Sequence, residues 1–191
     1  MTEPHAIAFT LDADVPAALP SVEALARALR GVVPLPGIAS VEVFAPHAEH
    51  ARLEAFGDGP PPFAIVECRA DSRVALRDLA GHAGLRAALS GLPAAGRWRA
   101  GLFRVVREPV PEPSQDSAQA GLSLVVHYYG PVDDPAAFAA HYVAHHPAAL
   151  ARLPRIRDVL CHVPADANLP GWPADPTVIR NEVRFDSMDD P

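Results

Sequence analysis

The chain contains no lysine, and all 16 of its Lys-or-Arg positions are arginine. Its net charge is −7 and no basic cluster stands out, which argues against nucleic acid and anionic membranes as partners. No apolar run approaches the ~20 residues that a membrane-spanning helix requires. The N-terminal residues, M-T-E-P-H, lack the basic and apolar segments of a signal peptide. A soluble, cytoplasmic protein is therefore expected.

Cysteine is also scarce. Cys68 and Cys161 lie far apart and form no C-x-x-C pair, so neither a disulfide framework nor a zinc site of the usual spacing is indicated. Both are expected to be small buried hydrophobic residues. The chain also lacks the G-x-G-x-x-G, P-loop and G-x-S-x-G motifs, and we predict no cofactor and no metal site.

The first half of the chain alternates between strand and helix patterns. Period-two runs and helical spacing predict six elements in the order βαββαβ, which is a ferredoxin-like unit. They are a strand from His5 to Leu11, a helix from Ser21 to Arg30, strands from Ile38 to Phe44 and Phe63 to Ala70, a helix from Ser72 to about Leu92, and a strand from Trp98 to Val106.

The second half repeats part of this order after a proline-rich, acidic stretch from Glu108 to Gln119 that is typical of a linker. The predicted elements are a strand from Leu122 to Tyr129, a helix from Asp134 to Leu153, a strand from Ile156 to Val163, a loop from Pro164 to Pro176 and a strand from Thr177 to Phe185. We therefore divide the chain into a first unit at 1–107, a linker at 108–121 and a second unit at 122–191.

Two motifs recur in the same order on the same predicted elements. L-P-x-I-x-x-V begins at Leu35 and again at Leu153, and E-x-R-x-D-S begins at Glu67 and again at Glu182. Together they predict a tandem duplication. The second copy would lack its last helix and strand, as in a chain truncated at its C-terminus. Its sheet would then keep an exposed edge, through which a homodimer could form.

The helix after Asp134 carries the main candidate for chemistry. Phe138, Tyr142 and His146 share one face of the predicted helix, and Pro147 is expected to kink or restart it at His146. A helix N-terminus and apolar surroundings would both favour a neutral imidazole that can accept a proton. The alternative is a core histidine that is hydrogen-bonded to backbone.

The F-x3-Y-x3-H pattern of this helix, followed by Leu153-Pro154 and by F-D-S at Phe185, resembles the EthD family over roughly residues 122–187. The family usually has H-x-P-L and L-P-G where this chain has His146-Pro147 and Leu153-Pro154-Arg155. The resemblance implies paired ferredoxin-like units of the dimeric α+β barrel superfamily, closed around a small-molecule cavity. It also implies that Phe138 and Tyr142 bind substrate beside His146.

Further candidates lie on the predicted strands. In the strand from Leu122, His127 and Tyr129 share the more polar face, where they would either line the cavity or reach solvent. His162 ends the next strand and is expected at its rim. Arg180, Glu182 and Arg184 share a face, either as a solvated ion-pair ladder or with Arg184 holding a substrate carboxylate. His141 and His145 suggest a metal ligand pair but lack the Glu of an H-E-x-x-H motif.

These observations predict an α+β protein of two tandem ferredoxin-like units. The first functional hypothesis is a cofactor-free isomerase, lyase or dehydratase that acts on a small aromatic, lactone or polyketide-like metabolite. His146 would be its general base, with His127 or Tyr129 placing or protonating the substrate. The second hypothesis is a non-catalytic barrel that binds a small hydrophobic metabolite or assists a catabolic oxygenase.

Overall fold

The computed structural model describes residues 4–11, 22–30, 36–46, 62–90, 98–111, 122–166 and 168–185. Over these residues the chain is α+β, with seven strands and four helices. They form two compact units, residues 1–102 with 166–175 and residues 103–165 with 176–191. Within the described residues no helix is long and apolar enough to cross a membrane. The predicted division of the chain at 107 and 122 remains a prediction. The first compact unit also includes the segment 166–175, which comes from the second half of the chain.

The first unit has the element order that its sequence pattern predicts. Its sheet runs β2-β3-β1-β4, and β1 and β2 both pair antiparallel with β3. All seven residues of β1 are buried, so both faces of this central strand are covered. The elements are β1 His5–Leu11, α1 Val22–Arg30, β2 Ser40–Phe44, β3 Ala64–Ala70, α2 Arg73–Gly81, α3 Ala83–Ser90 and β4 Trp98–Glu108, whose residues from Phe103 onward belong to the second unit.

The single helix predicted from Ser72 to Leu92 is wrong in one respect, because it divides in two at His82. Ser72 caps α2 as predicted, its hydroxyl accepting from Ala75 N at 3.4 Å. His82 then adopts an extended backbone at φ −67°, ψ 124°. Gly81 precedes this break, and glycine loses more backbone entropy in a helix than any other residue. Leu92 lies outside the described residues.

The segment 166–175, which lies far along the chain, is part of the first unit. The Trp172 ring meets the Phe9 ring edge-on with 4.8 Å between centroids, and its Nε1 donates to Ala80 O at 2.9 Å. The Arg86 guanidinium lies 5.1 Å from the centre of the Trp172 ring. A segment predicted as a plain loop is therefore fixed by a part-buried hydrogen bond and two ring contacts of Trp172, together with further hydrogen bonds such as Arg86 Nη2 to Pro170 O at 2.5 Å.

The second unit contains four further elements beside the end of β4. Its strands run β4-β6-β7-β5, with β7 antiparallel to both β5 and β6. β6 extends past its predicted end at Val163, and Pro164 lies beyond the part paired with β7, where a missing N–H costs no bond to that strand. The elements are β5 Leu122–Tyr129, α4 Pro135–Leu150, β6 Ile156–Asp166 and β7 Thr177–Phe185.

Helix α4 begins as predicted and continues further than predicted at its proline. The Asp134 carboxylate accepts from Ala137 N at 2.9 Å, and Pro135 occupies the first turn, where no N–H is needed. The expected restart at His146 is wrong, because one helix runs through Pro147 to Leu150. Pro147 has no N–H to donate, but its carbonyl oxygen still accepts from Ala151 N at 2.9 Å. The series of helical hydrogen bonds therefore resumes within one turn.

The two copies of each predicted motif share local geometry within their own units. Arg69 Nε donates to the buried Glu67 carboxylate at 2.5 Å, and Arg184 Nε donates to the buried Glu182 carboxylate at 2.6 Å. In the L-P-x turns, Gly37 and Arg155 both have positive φ, 83° and 62°. These likenesses support the tandem duplication, which stays a prediction.

Other predictions concern segments outside the described residues. Most of the linker, at 112–121, and the C-terminal residues 186–191 fall there, and so does most of the loop predicted at 57–62. Over the described residues β5 stands at the end of the strand order. A homodimer formed through this edge also stays a prediction.

Arg155 holds the backbone conformation that glycine holds at Gly37, and for an L-residue this conformation costs about 1–2 kcal/mol. We predict that Arg155→Gly is more stable than Arg155→Ala by about 1 kcal/mol, as measured by urea unfolding. The alanine variant removes the same side chain and so isolates the backbone effect. Gly37→Ala should be destabilising, because the added Cβ would also lie 3.3 Å from Ala75 Cβ. Equal stability of the two Arg155 variants would contradict the assignment of strain.

The two cysteines are free and buried, as expected. Burial raises the pKa of the Cys68 thiol, and of the Cys161 thiol, from 9.0 to about 12. Each folded thiol therefore keeps its proton where the unfolded thiol loses it. This contribution is fully present below pH 9 and is lost as the pH rises towards 12.

We predict that the free energy of unfolding falls between pH 9 and pH 12 by at most about 1.4 kcal/mol per pH unit for each thiol. The chain has no lysine, so the thiols and the tyrosines are the main groups that titrate in this window. Urea unfolding at a series of pH values measures the slope. The Cys68→Ala/Cys161→Ala variant should have a shallower slope whatever its absolute stability, and an unchanged slope would contradict this account.

Candidate functional site

The two faces of the second unit's sheet have different chemistry. Tyr128 of β5 contacts Phe138 and Tyr142 of α4, with 6.5 and 5.1 Å between ring centroids. Side chains alternate along a strand, so His127 points to the face away from α4. Tyr129 shares that face, because its ring stacks on the His127 ring at 5.8 Å and 24°.

We call the face away from α4 the polar face. Its rows follow from the strand register, in which Arg180 of β7 is paired with His127 on one side and His162 on the other, and Arg184 is paired with Ser123 and Asp158. Its polar members are Ser123, His127 and Tyr129 of β5, Asp158 and His162 of β6, and Thr177, Arg180, Glu182 and Arg184 of β7, and the apolar Val125 and Leu160 are paired with Glu182 on the same face.

The His127 imidazole is oriented by two contacts on the polar face. Its Nδ1 lies 3.1 Å from the Thr177 hydroxyl, and its ring is stacked on Tyr129. His127 is half-buried, whereas Tyr129 is 46% exposed. The predicted pair is thus brought together at the end of β5, one ring held in place and the other in contact with solvent.

Glu182 occupies the centre of the polar face and is 1% exposed. Its Oε1 accepts from Arg184 Nε at 2.6 Å and from the Ser123 hydroxyl at 3.2 Å. A buried carboxylate needs such compensation, because losing water costs a charge far more than a neutral group. Arg184, predicted to bind substrate, is half-buried and bonded to this carboxylate. Its substrate-binding role stays a prediction.

Sequence reasoning missed the burial of two residues in the row of His127. His162 was expected at the strand rim but is 0% exposed, and Arg180, assigned to a solvated ladder, is 1% exposed. The Arg180 guanidinium lies 5.3 Å from the centre of the Phe103 ring, which His162 meets edge-on at 6.1 Å. A ring nitrogen of His162 and a Glu182 carboxylate oxygen lie within 4.8 Å. The signal available in the sequence was the alternation of side chains along a strand, which places these residues on the same face.

The helix side of the sheet is an aromatic and aliphatic cluster. Asn181 Nδ2 donates to the hydroxyl of the buried Tyr142, which is also hydrogen-bonded to Tyr128. Burial, followed by the bond to Tyr128, raises the pKa of Tyr142 above its ordinary value. Phe138 is half-buried in the same cluster beside Ile179. These contacts give Tyr142 and Phe138 packing roles, and their predicted contact with substrate remains a prediction.

His146 is exposed, so its expected burial in an apolar stripe is wrong. Its ring lies against the Tyr142 ring, with 4.4 Å between centroids. Since Tyr142 packs on the side of the sheet opposite to His127, the structure does not bring His146 together with His127 and Tyr129. The three predicted catalytic residues therefore form two groups, one on each side of this sheet.

The Tyr142 hydroxyl is a buried acceptor for Asn181, so its loss leaves a buried amide without that partner. We predict that Tyr142→Phe lowers the free energy of unfolding by about 1–3 kcal/mol. Tyr142→Phe/Asn181→Leu should recover part of this loss, because both polar partners are then removed. Chemical denaturation of the wild type, the two single variants and the double variant gives the coupling energy. Strictly additive effects would show that the bond does not contribute to stability.

Comparison with known proteins yields structural relatives alone. No family model matches the chain, and no curated protein gives a significant match. An anthrone oxidase-like protein aligns with 99% of the chain and 75% of its own length, at 11% identity and a TM-score of 0.60. A protein from Fusobacterium nucleatum, provisionally named a monooxygenase, covers 99% of the chain and 78% of itself, at 8% identity and a TM-score of 0.57.

A third structure, provisionally named a chlorite dismutase, covers 99% of the chain and 82% of itself, at 10% identity and a TM-score of 0.53. Identities this low establish a shared fold and leave the activity open. The chain therefore shares the α+β fold of these structures.

Proposed function

We propose that the polar face of the second unit binds a small, enolisable aromatic or lactone-like molecule and that His127 removes a proton from it. The isomerase, lyase and dehydratase reactions considered from the sequence all begin with this step when the proton lies next to a carbonyl. The C–H bond breaks, the proton goes to the imidazole, and the electron pair remains on the substrate as an enolate. No cofactor is needed for this step.

The contact between His127 and Thr177 is the main observation that supports the proposal. A general base must be oriented by a second group, and Nδ1 lies 3.1 Å from the Thr177 hydroxyl. A hydroxyl can donate or accept, so the bond survives a change in the charge of the ring. When Nδ1–H donates to Thr177, the lone pair lies on the other ring nitrogen, Nε2, which is buried in the structure and would receive the proton of a substrate that enters the polar face.

Tyr129 supports an aromatic substrate. Its ring lies nearly parallel to that of His127, at 24°, and is 46% exposed. Planar ligands are commonly held by offset stacking on such rings, which bury area at a low entropy cost. A flat substrate placed against Tyr129 would lie beside the imidazole that accepts its proton.

Arg180 supports an anionic intermediate. It is paired with His127 across β5 and β7, so its buried positive charge lies in the same row as the base. A charge that develops on an enolate oxygen in a poorly hydrated site is stabilised more strongly by a fixed cation than it would be in water. Arg180 would therefore hold the enolate oxygen while His127 holds the proton.

Two predictions from the sequence bear on this proposal, one in its support and one in competition with it. Membership of the EthD family is supported by the F-x3-Y-x3-H pattern and by the shared barrel fold. The role of His146 as general base stays a competing prediction. It has the weaker geometry, because the imidazole of His146 is exposed and its ring lies against the Tyr142 ring, on the side of the sheet opposite to His127.

Anthrone, a planar ketone with an acidic C–H next to its aromatic rings, is a suitable probe, and one structural relative is described as anthrone oxidase-like. We predict that the protein accelerates exchange of this proton for deuterium in D₂O, as followed by NMR under argon. His127→Ala should lower the exchange rate by about 10²- to 10⁴-fold. Thr177→Val should lower it less, and His146→Ala should leave it unchanged.

The same variants separate the alternatives. If His146→Ala abolishes exchange and His127→Ala does not, the assigned base is wrong. If the wild-type protein binds anthrone, as followed by its fluorescence, without accelerating exchange, the non-catalytic binding protein is the correct reading. If it neither binds nor exchanges anthrone, the proposed substrate class is wrong. Arg155→Gly changes no residue of the polar face and serves as the control for handling and stability.

A further inference from the structure

Two exposed histidines lie one turn apart on α4, outside the polar face. His141 and His145 are separated by four residues, so they are neighbours on the helix surface. Their ring centroids are 4.5 Å apart and the rings are tilted by 32°. Two nitrogen donors are thus already side by side on a rigid element, and bringing them together requires no change in the backbone.

The hydrogen bond of His145 decides which of its nitrogens can bind a cation. Nδ1 lies 2.8 Å from the carbonyl oxygen of His141. A carbonyl can only accept, so Nδ1 carries the hydrogen, and in the neutral ring Nε2 then carries the lone pair. Donation from the second ring nitrogen to a backbone carbonyl is the arrangement that orients metal-binding histidines in general.

We infer that His141 and His145 form a chelating site for a divalent transition-metal cation of the Zn²⁺, Cu²⁺ or Ni²⁺ class. Imidazole nitrogen suits these cations, whereas Mg²⁺ and Ca²⁺ prefer oxygen ligands. Two protein ligands leave the remaining coordination positions to water. The site is independent of the proposed catalytic face, since α4 packs on the opposite side of the sheet, against Tyr128. This inference differs from the prediction of no metal site that was made from the sequence.

The geometry also explains why His146 does not belong to this pair. Its ring lies against Tyr142, at 4.4 Å, around the helix from His141 and His145. His146 is equally exposed and lies on the same helix. His146→Ala is therefore the matched control, because it removes an accessible imidazole from α4 without removing a proposed ligand.

The test is calorimetric titration of the untagged chain with ZnCl₂, repeated with CuCl₂ and read by electron paramagnetic resonance. We expect one cation per chain at this site and nitrogen couplings in the copper spectrum. His141→Ala and His145→Ala should each weaken binding at least about tenfold, because the loss of an outer-shell partner alone already costs about 10- to 100-fold in affinity. MgCl₂ should not compete, and affinity should fall as the pH is lowered, because protons compete for the same lone pairs.

Several results would overturn the inference. Unchanged affinity in either alanine variant would exclude the pair, and so would equal weakening in His146→Ala or competition by Mg²⁺. His47→Ala/His50→Ala tests two histidines that are three residues apart and lie outside the described residues, and loss of binding in this variant would assign the cation elsewhere. His141→Gln and His145→Gln, with circular dichroism of each variant, confirm that a loss of binding does not come from a loss of helix.

Discussion

The burial of the Glu182 carboxylate constrains the whole polar face. A carboxylate that is 1% exposed has to be compensated, and Arg184 and Ser123 at neighbouring positions of the sheet do so with hydrogen bonds of 2.6 and 3.2 Å. Because side chains alternate, this requirement keeps every second residue of β7 on the same face, including Arg180. The row that contains His127 therefore lies on a surface that is polar for structural reasons, and the proposed proton transfer would take place on that surface.

Sequence patterns predicted the strands of both units well, because period two is a strong signal. The same alternation placed His127 and Tyr129 together on one face, as the structure shows. Burial was harder to predict. Residues four apart on a helix advance about 40° around its axis, so Tyr142 can be buried while His146 is at the exposed edge. In an alanine-rich helix such as α4 the apolar face is too poorly defined to locate that edge.

The remaining misses involve residues whose surroundings are distant in sequence. His162 lies at the end of a predicted strand, and nothing local to it indicates the edge-on contact with Phe103. Its partner in register, Arg180, likewise reads as a surface residue until the strand pairing is known. Fold likeness does not fill this gap, because relatives at 8 to 11% identity share a backbone path and no established chemistry. Function has to be argued from the side chains of this chain.

The segment fixed by Trp172 makes the first unit discontinuous along the chain. Asp175 N donates to Ala100 O at 3.1 Å, so residues 166–175 complete a unit whose other residues end at Leu102. A ribosome adds roughly 5–20 residues per second, so the first unit waits several seconds for its last segment. During that interval its surface around Phe9 is uncovered in the nascent chain. The first unit can therefore be completed only after residues 166–175 have been synthesised, although most of its residues are made first.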